Sequence, residues 1–202
     1  MGNKRTENIR EITATAIMSA LSAVLMFVEF SIPVMPSFIK LDFSDLPELI
    51  TAFAYGPLWG VLVCLVKNII HIAATSSAGV GELSNFILGA VFVSVAGFIY
   101  KANKSRKFAL IGSIAGSFAM ALAAFAVNLF IVYPLYIKLM MPAEAILGLY
   151  REILPSIDSL SKGILIFNVP FTFVKGLINV AVTFAVYPKL SPVLKGTRKV
   201  HQ

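Results

Sequence analysis

Two apolar stretches of the sequence carry a lysine, and the residues around each lysine are spaced to share one face of a helix. In the stretch at 58–74, Lys67 and His71 are four residues apart and Asn68 adjoins Lys67. On a helix these three side chains lie within about a 100° arc. An ionisable group in a membrane helix normally faces the bundle interior or a water-filled cavity. A direct ligand contact and a bracing role in the core are both open for this group.

The second polar group follows the stretch at 163–187. Asn168, Thr172, Lys175 and Asn179 are separated by four, three and four residues, which makes one polar stripe on an otherwise apolar helix. Lys175 has no acidic residue in its own stretch. Its ammonium group therefore needs a carboxylate from another segment, a water-filled cavity or a ligand.

Two further asparagines lie in apolar stretches, Asn128 at 108–137 and Asn85 near the start of 83–100. They can contribute to a polar pocket that opens to the outside. They can also form hydrogen bonds between helices, worth about 1 kcal/mol each. Taken singly, the asparagines favour the second interpretation, whereas Lys175 favours a pocket.

The composition explains which elements hold these residues. Of 202 residues, 58% are hydrophobic and only 13% are charged, whereas soluble domains carry about a quarter charged residues. A soluble globular enzyme is therefore excluded, and we predict an all-α integral membrane protein with a six-transmembrane-helix bundle. The predicted spans are 12–30, 46–55, 58–74, 83–100, 108–137 and 163–187.

The predicted organisation is a single membrane domain covering 1–202. The second span is short, because about ten helical residues cover only roughly 15 Å, and the fifth is long enough to need a bend, for which Pro134 offers a place. We expect a surface helix near 143–153. The predicted parts are an N-terminal tail (1–11), the bundle (12–190) with a connecting loop (31–45) and an outer loop (138–162), and a C-terminal tail (191–202).

The net charge of +7 comes from 17 basic and 10 acidic residues. The basic residues cluster between apolar runs and no nucleic-acid-binding module is recognisable, so the positive-inside rule explains the excess better than nucleic acid does. The rule predicts that both termini are cytoplasmic. The basic residues expected on that side are Lys4, Arg5, Arg10, Lys101, Lys104, Arg106, Lys107, Lys189, Lys195, Arg198 and Lys199.

Small residues recur at four-residue spacing in two of the predicted spans, which lets helix backbones approach closely. Packing within the bundle and docking against another membrane subunit are both open interpretations. The pairs are Ala16 and Ala20, Ser19 and Ala23, and Gly112 and Gly116.

The sequence contains none of the common motifs for nucleotide hydrolysis or zinc catalysis. It contains no G-x-x-x-x-G-K-[ST] phosphate loop and no H-E-x-x-H motif, and two histidines with one cysteine cannot build the usual zinc site. We therefore predict a binding protein rather than an enzyme, without a metal site and without a catalytic cofactor.

The run at 38–71 resembles a known family. It reads FIKLDFSDLPELITAFAYGPLWGVLVCLVKNIIH and is similar to the substrate-binding S components of energy-coupling factor (ECF) vitamin transporters, most of all to the riboflavin-specific type. The stretch K-L-D-F-S-D-[LI]-P, the Y-G-P turn and K-N-x-x-H carry the resemblance. Asn128 with YPLY at 133–136, and PFTFVKGLIN at 170–179, resemble the later helices of that type.

The resemblance implies a six-helix S component in the cell membrane of a prokaryote that captures riboflavin from outside as its transported ligand. Its implied partners are the lipid bilayer, a transmembrane coupling subunit and two cytoplasmic ATPase subunits. The loop at 31–45 would act as a lid over the ligand. Ala16, Ala20 and Ala23 match the positions that meet the coupling subunit.

The resemblance also implies flavin contacts at Leu41, Asp42, Phe43, Asn128 and Lys175. The chemistry of a flavin, with an apolar tricycle and a polar edge, favours further contacts from aromatic and amide side chains. The alternatives are an S component for another vitamin, a stand-alone secondary carrier, a small membrane-bound transferase and a purely structural subunit. The full set of predicted substrate-binding residues is Leu41, Asp42, Phe43, Asn85, Asn128, Tyr133, Lys175 and Asn179.

Overall fold

The computed structural model describes the backbone of residues 2–195 and the side chains of residue 6 and residues 8–187. Residues 196–202 of the predicted C-terminal tail (191–202), and the basic side chains expected at 4, 5, 189 and 195, lie outside the described residues, whereas the backbone of 191–195 is helical. Helices account for most of the described chain, and one short antiparallel hairpin joins the first two. The elements are α1 (Gly2–Phe27), β1 (Phe30–Ser31), β2 (Lys40–Leu41), α2 (Asp45–Tyr55), α3 (Pro57–His71), a 3₁₀ turn (Ile72–Ala74), α4 (Val80–Ala102), α5 (Arg106–Val127), a π-helical segment (Asn128–Val132), α6 (Tyr133–Leu139), α7 (Ala143–Arg151), α8 (Leu160–Gly163), a second π-helical segment (Ile164–Asn168) and α9 (Val169–Lys195).

Five segments are long and apolar enough to cross a membrane. They match five of the six predicted spans, although α1 begins at Gly2 rather than at residue 12, so most of the predicted tail is helical. The remaining predicted span, the second at 46–55, corresponds to α2, which has only 11 residues. The five segments are Asn8–Phe27, Pro57–Ala74, Val80–Ala102, Arg106–Leu139 and Leu160–Tyr187.

The short helix α2 is the centre of the bundle. It packs against α1, α3, α4 and α9, and all of its residues except Ala54 and Tyr55 are buried. Pro47 lies in its first turn, where the missing N–H costs nothing. At its end, Gly56 adopts a φ of +115°, which favours glycine, and Pro57 starts α3 at once. Because protein surrounds α2, its polar ends need not face lipid.

Each π-helical segment ends immediately before an X-Pro pair. Proline has no N–H and its ring clashes with the carbonyl four residues earlier, so an α-helix cannot continue regularly through it. The chain shifts to i→i+5 bonding instead, with the Tyr133 N–H donating to the Asn128 carbonyl and the Val169 N–H to the Ile164 carbonyl. The irregularity expected at Pro134 is therefore a π-helical segment just before it.

The helices α4 and α5 pack closely through the Gly112 and Gly116 pair. A Cβ atom built on Gly116 would lie 2.6 Å from the carbonyl oxygen of Phe92, and one on Gly112 would lie 2.7 Å from that of Ala96. Side chains cannot approach so closely, so glycine is required at both positions. This pair thus serves packing within the bundle.

The predicted helix near 143–153 exists as α7, but it is not purely a surface helix. Ile146, Leu147 and Tyr150 are buried and join the cluster formed by the end of α5, α6 and the second π-helical segment. A Cβ atom on Gly163 would lie within 3.0 Å of the Tyr150 ring. The outer loop is therefore a packed part of the fold.

Candidate functional site

A cavity of about 330 Å³ lies among the loop at 31–45, the end of α3, the start of α4, the two π-helical segments and α9. This volume falls at the lower end of the range for small-molecule sites. Five of the eight predicted substrate-binding residues line it. They are Asp42, Asn85, Asn128, Tyr133 and Lys175.

The cavity wall does not include Leu41, Phe43 or Asn179. Leu41 lies in β2, and the Phe43 ring packs edge-on against Phe30 with their centroids 6.0 Å apart. Asn179 is fully buried, and its Nδ2 donates to the backbone carbonyls of Asp42 (3.4 Å) and Lys175 (3.1 Å). Their direct contact with a ligand stays a prediction, and the geometry gives Asn179 a supporting position.

The loop at 31–45 contributes Phe38 rather than Phe43 to the cavity. The Phe38 ring lies among three tyrosines, with centroid distances of 5.9 to 6.3 Å to Tyr133, Tyr136 and Tyr150. Aromatic pairs at such distances stabilise beyond the area they bury. Sequence reasoning missed Phe38 because only contact with later helices distinguishes it from the other apolar loop residues.

Lys175 finds its carboxylate in this same loop. Its Nζ lies 2.8 Å from Oδ2 of Asp42 and 3.8 Å from Oδ2 of Asp45, and all three side chains are buried. Burial by itself raises the pKa of Asp42, but the positive charges of Lys175 and Lys67 outweigh it and lower the pKa to about 2. Asp42 is therefore ionised at neutral pH, and the pair fastens the loop to α9.

Lys67 braces the core and does not line the cavity. It is completely buried and pairs with Glu48 and with Asp45, whose Oδ1 lies 3.0 Å away. Its Nζ also donates to the Ser44 hydroxyl at 2.6 Å. Ser44 occupies the N-cap position of α2 but makes no side-chain capping bond. The prediction left ligand contact and bracing open for Lys67, and its contacts favour bracing.

His71 pairs with an acid that sequence reasoning missed. Its Nδ1 lies 2.8 Å from Oε1 of Glu82, whose other oxygen accepts hydrogen bonds from Thr75 (2.9 Å) and Ser77 (3.0 Å). The predicted fourth span began after Glu82, whereas α4 begins at Val80. Both His71 and Glu82 line the cavity.

A second hydrogen-bonded group links three elements beside the cavity. The Tyr133 and Tyr150 hydroxyls bond to each other, Asn168 Nδ2 donates to the Tyr133 hydroxyl at 3.2 Å, and the Tyr150 hydroxyl donates to Asn168 Oδ1. Burial raises the pKa of Tyr150 far above its ordinary value, so this hydroxyl remains a neutral donor. Tyr150 was missed because nothing in its local sequence distinguishes it from a surface residue of the loop.

Asn128 keeps hydrogen-bonding capacity towards the cavity. Its Nδ2 donates to the Ala124 carbonyl at 2.7 Å, and in the described part of the chain its side chain makes no other hydrogen bond. An amide has two donors and an acceptor carbonyl. Asn128 can therefore both accept from and donate to a ligand.

The remaining wall combines apolar side chains with serine and threonine hydroxyls, and its charged groups are already paired. Lys175 pairs with Asp42, and Lys40 pairs with Glu29, so neither lysine is a free counter-ion for an anionic ligand. Such a site suits a neutral molecule with an apolar body and a polar edge. Apolar side chains on the wall include Met26, Leu88, Met120, Val132 and Phe171.

The predicted subunit contact divides into two parts. Ala16 and Ala20 lie on the exposed face of α1, where Ile17 and Val24 are also more than half exposed. Ala23 is only 3% exposed and faces the bundle, so it does not share that face.

Three comparisons with known proteins agree. The family model described as "ECF transporter, substrate-specific component" matches residues 10–187. The chain is 31% identical over 198 residues to the riboflavin transporter RibU of Staphylococcus aureus, covering 96% of this chain and 99% of that protein. It is 29% identical to the riboflavin transporter FmnP of Bacillus subtilis, covering 96% and 98% respectively.

A solved structure is also similar to this chain over almost its whole length. The S component of a bacterial ECF transporter matches with a TM-score of 0.73 and 32% identity, covering 94% of this chain and 99% of that chain. The apolar helices and the bacterial relatives indicate a multi-pass membrane protein of a prokaryote. This chain belongs to the substrate-specific (S) components of ECF transporters.

Proposed function

We propose that this chain is a riboflavin-binding S component, which takes up the vitamin from outside the cell. The observation that carries the proposal is similarity along almost the whole chain to two proteins named as riboflavin transporters. The cavity supports it, because the predicted polar groups Asn128 and Lys175 both lie on its wall.

The chemistry of riboflavin suits this cavity. Its flat apolar tricycle needs apolar and aromatic walls, which Phe38, Tyr133 and Phe171 can supply. Its pyrimidine edge carries carbonyl acceptors and an N–H, which the Asn128 amide can match. Riboflavin is uncharged, so Lys175 acts as a hydrogen-bond donor and keeps Asp42 as its counter-ion.

We propose six crossings of the membrane with both termini in the cytoplasm. Glu11 of α1 and Trp59 of α3 line one common groove, so the start of the apolar segment Asn8–Phe27 and the start of α3 lie at the same end of the bundle. The chain between them must therefore return across the bundle, and α2 with its preceding loop makes that passage. Lys101, in the last turn of α4, and Lys104, just after that helix, line the same groove, as the positive-inside rule requires of a cytoplasmic face.

The proposed role is transport without catalysis by this chain. Because the sequence contains no phosphate-loop motif, the energy comes from partners: a transmembrane coupling subunit and two cytoplasmic ATPases. A secondary carrier would instead accumulate the vitamin in vesicles that contain this chain alone and a proton gradient.

The spectrum of the purified protein tests the proposal. We expect co-purified or added riboflavin to give a yellow sample, whose flavin fluorescence changes on binding at sub-micromolar concentration. A colourless protein that does not bind added riboflavin but binds another vitamin would overturn the riboflavin assignment, and the assignment to the S-component family would still hold.

Asn128→Ala should weaken riboflavin binding by about 1–3 kcal/mol, the cost of leaving a polar partner unsatisfied. Fluorescence titration measures the change, roughly 5- to 150-fold in Kd. Asn103→Ala is the matched control, because Asn103 is exposed between α4 and α5 and should leave Kd unchanged. Equal affinity in both variants would show that Asn128 does not contact the ligand.

A further inference from the structure

A second cavity, of about 420 Å³, lies at the end of the bundle opposite the riboflavin site. It is bounded by the end of α2, the Gly56 turn, the start of α3, the end of α4 and Glu11 of α1. We call it the Trp59 groove, after the only tryptophan of the chain. Nothing in the proposed transport of riboflavin uses it.

One side of the Trp59 groove carries exposed apolar side chains. Leu58 is 78% exposed and Phe98 is 57% exposed, and both belong to segments apolar enough to span a bilayer. Trp59 is partly exposed beside them. Tryptophan is enriched at the level of the lipid headgroups, so this groove opens at the boundary between hydrocarbon and headgroups.

The other side of the groove is basic. Lys101 and Lys104 line it with a single acid, Glu11, and both lysines are exposed. Among the residues that the structure describes, neither lysine pairs with a carboxylate. The riboflavin site differs, because both lysines on its wall are paired.

We propose that the Trp59 groove binds an anionic phospholipid. The phosphate lies between Lys101 and Lys104, which neutralise it, and the acyl chains run over Leu58 and Phe98 into the bilayer. Charge complementarity selects this occupant: a zwitterionic lipid brings its own cation to lysines that need an anion, whereas phosphatidylglycerol does not. The inference stands on the groove and its charges and does not depend on the identity of the vitamin.

Quenching of Trp59 fluorescence tests the proposal directly, because no other tryptophan contributes to the signal. The flavin-free protein is placed in bilayers of phosphatidylcholine and phosphatidylglycerol, in which first one lipid and then the other is brominated. From the quenching we expect an apparent affinity for phosphatidylglycerol that is about five- to tenfold higher than for phosphatidylcholine. The reason is that each lysine near an anionic headgroup contributes favourably to the binding free energy. Equal quenching by the two lipids would overturn the proposal.

Two double variants separate a local site from general surface attraction. Lys101→Gln/Lys104→Gln should bring the ratio of the apparent affinities for phosphatidylglycerol and phosphatidylcholine close to one. Arg106→Gln/Lys107→Gln should retain the wild-type ratio, because it removes the same charge from exposed neighbours outside the groove. Circular dichroism and thermal unfolding of both variants in detergent confirm folding independently of the vitamin. Equal loss in the two variants would assign the preference to diffuse charge. Equal quenching in wild type, together with a change in Trp59 emission on adding the coupling subunit, would assign the groove to that protein.

Discussion

At the scale of single residues, Lys175 and Asp42 form the main electrostatic contact beside the cavity, a buried ion pair. They are 133 positions apart in the sequence, yet each is the other's counter-ion in a buried site. Burying either charge alone costs several kcal/mol. The pair therefore makes the position of the loop at 31–45 depend on the position of α9.

Removing either member of this pair should lower the free energy of unfolding, and the effects of the two substitutions should not be additive. Lys175→Met and Asp42→Asn should each lower the free energy of unfolding in detergent by about 3–5 kcal/mol, because each leaves a buried charge without its partner. The double variant should lose less than the sum. Lys162→Met, at an exposed pair with Asp158, is the control and should cost at most about 1 kcal/mol. Strictly additive losses would disprove the coupling.

The same pair predicts a pH dependence. The pKa of Asp42 in the folded protein is about 2, below the ordinary value of 3.8. Ionised Asp42 therefore stabilises the fold fully above about pH 4, and this stabilisation is lost as the pH falls towards 2. The stability difference between wild type and Asp42→Asn should therefore be large at pH 6 and shrink at pH 3. Thermal unfolding at both values measures it, and an unchanged difference would argue against an ionised Asp42.

At the scale of elements, two π-helical segments bring Asn128 and Asn168 to the cavity. Each segment is followed by a proline two residues further on, so the irregular hydrogen bonding has a local cause. The same feature that ends the regular α-helix therefore lies where Asn128 and Asn168 line the cavity. We therefore expect helix geometry and ligand binding to be linked in both places.

The close contact of α4 and α5 predicts strict glycine requirements. Gly116→Ala should lower the free energy of unfolding by about 1–3 kcal/mol, because its Cβ would meet the Phe92 carbonyl oxygen at 2.6 Å. Gly148→Ala is a matched control in α7, where a Cβ has nothing within 4 Å and should be neutral or slightly stabilising. Similar losses of unfolding free energy in both variants would show that the effect comes from replacing glycine as such and not from the contact between α4 and α5.

At the scale of the whole molecule, the exposed face of α1 is the proposed contact with the coupling subunit. Ala16→Leu/Ala20→Leu should leave riboflavin affinity unchanged, because both side chains lie outside the bundle, and should reduce uptake by the assembled transporter at least several-fold. Ala23→Leu should instead lower thermal stability, since Ala23 is buried and overpacking costs about 1–3 kcal/mol. Lost affinity in the first variant would indicate a packing role.

The membrane class, the helices and the polar positions were predictable from the sequence because they depend on local composition and period. A run of apolar residues specifies its solvent wherever the rest of the chain lies. Lys175 could be recognised as needing a partner for the same reason: its own helix contains no acid. The resemblance at 38–71 predicted the family, which the comparisons confirm.

The identity of each partner was decided only by the tertiary structure. In each of three ion pairs, the two members come from different elements of the fold. The pairs are Asp42 with Lys175, Glu48 with Lys67, and Glu82 with His71. Phe38, rather than Phe43, enters the cavity for the same kind of reason. Sequence period places a side chain on a face of its own helix or loop, but which faces meet depends on how the helices pack, a property of the whole chain.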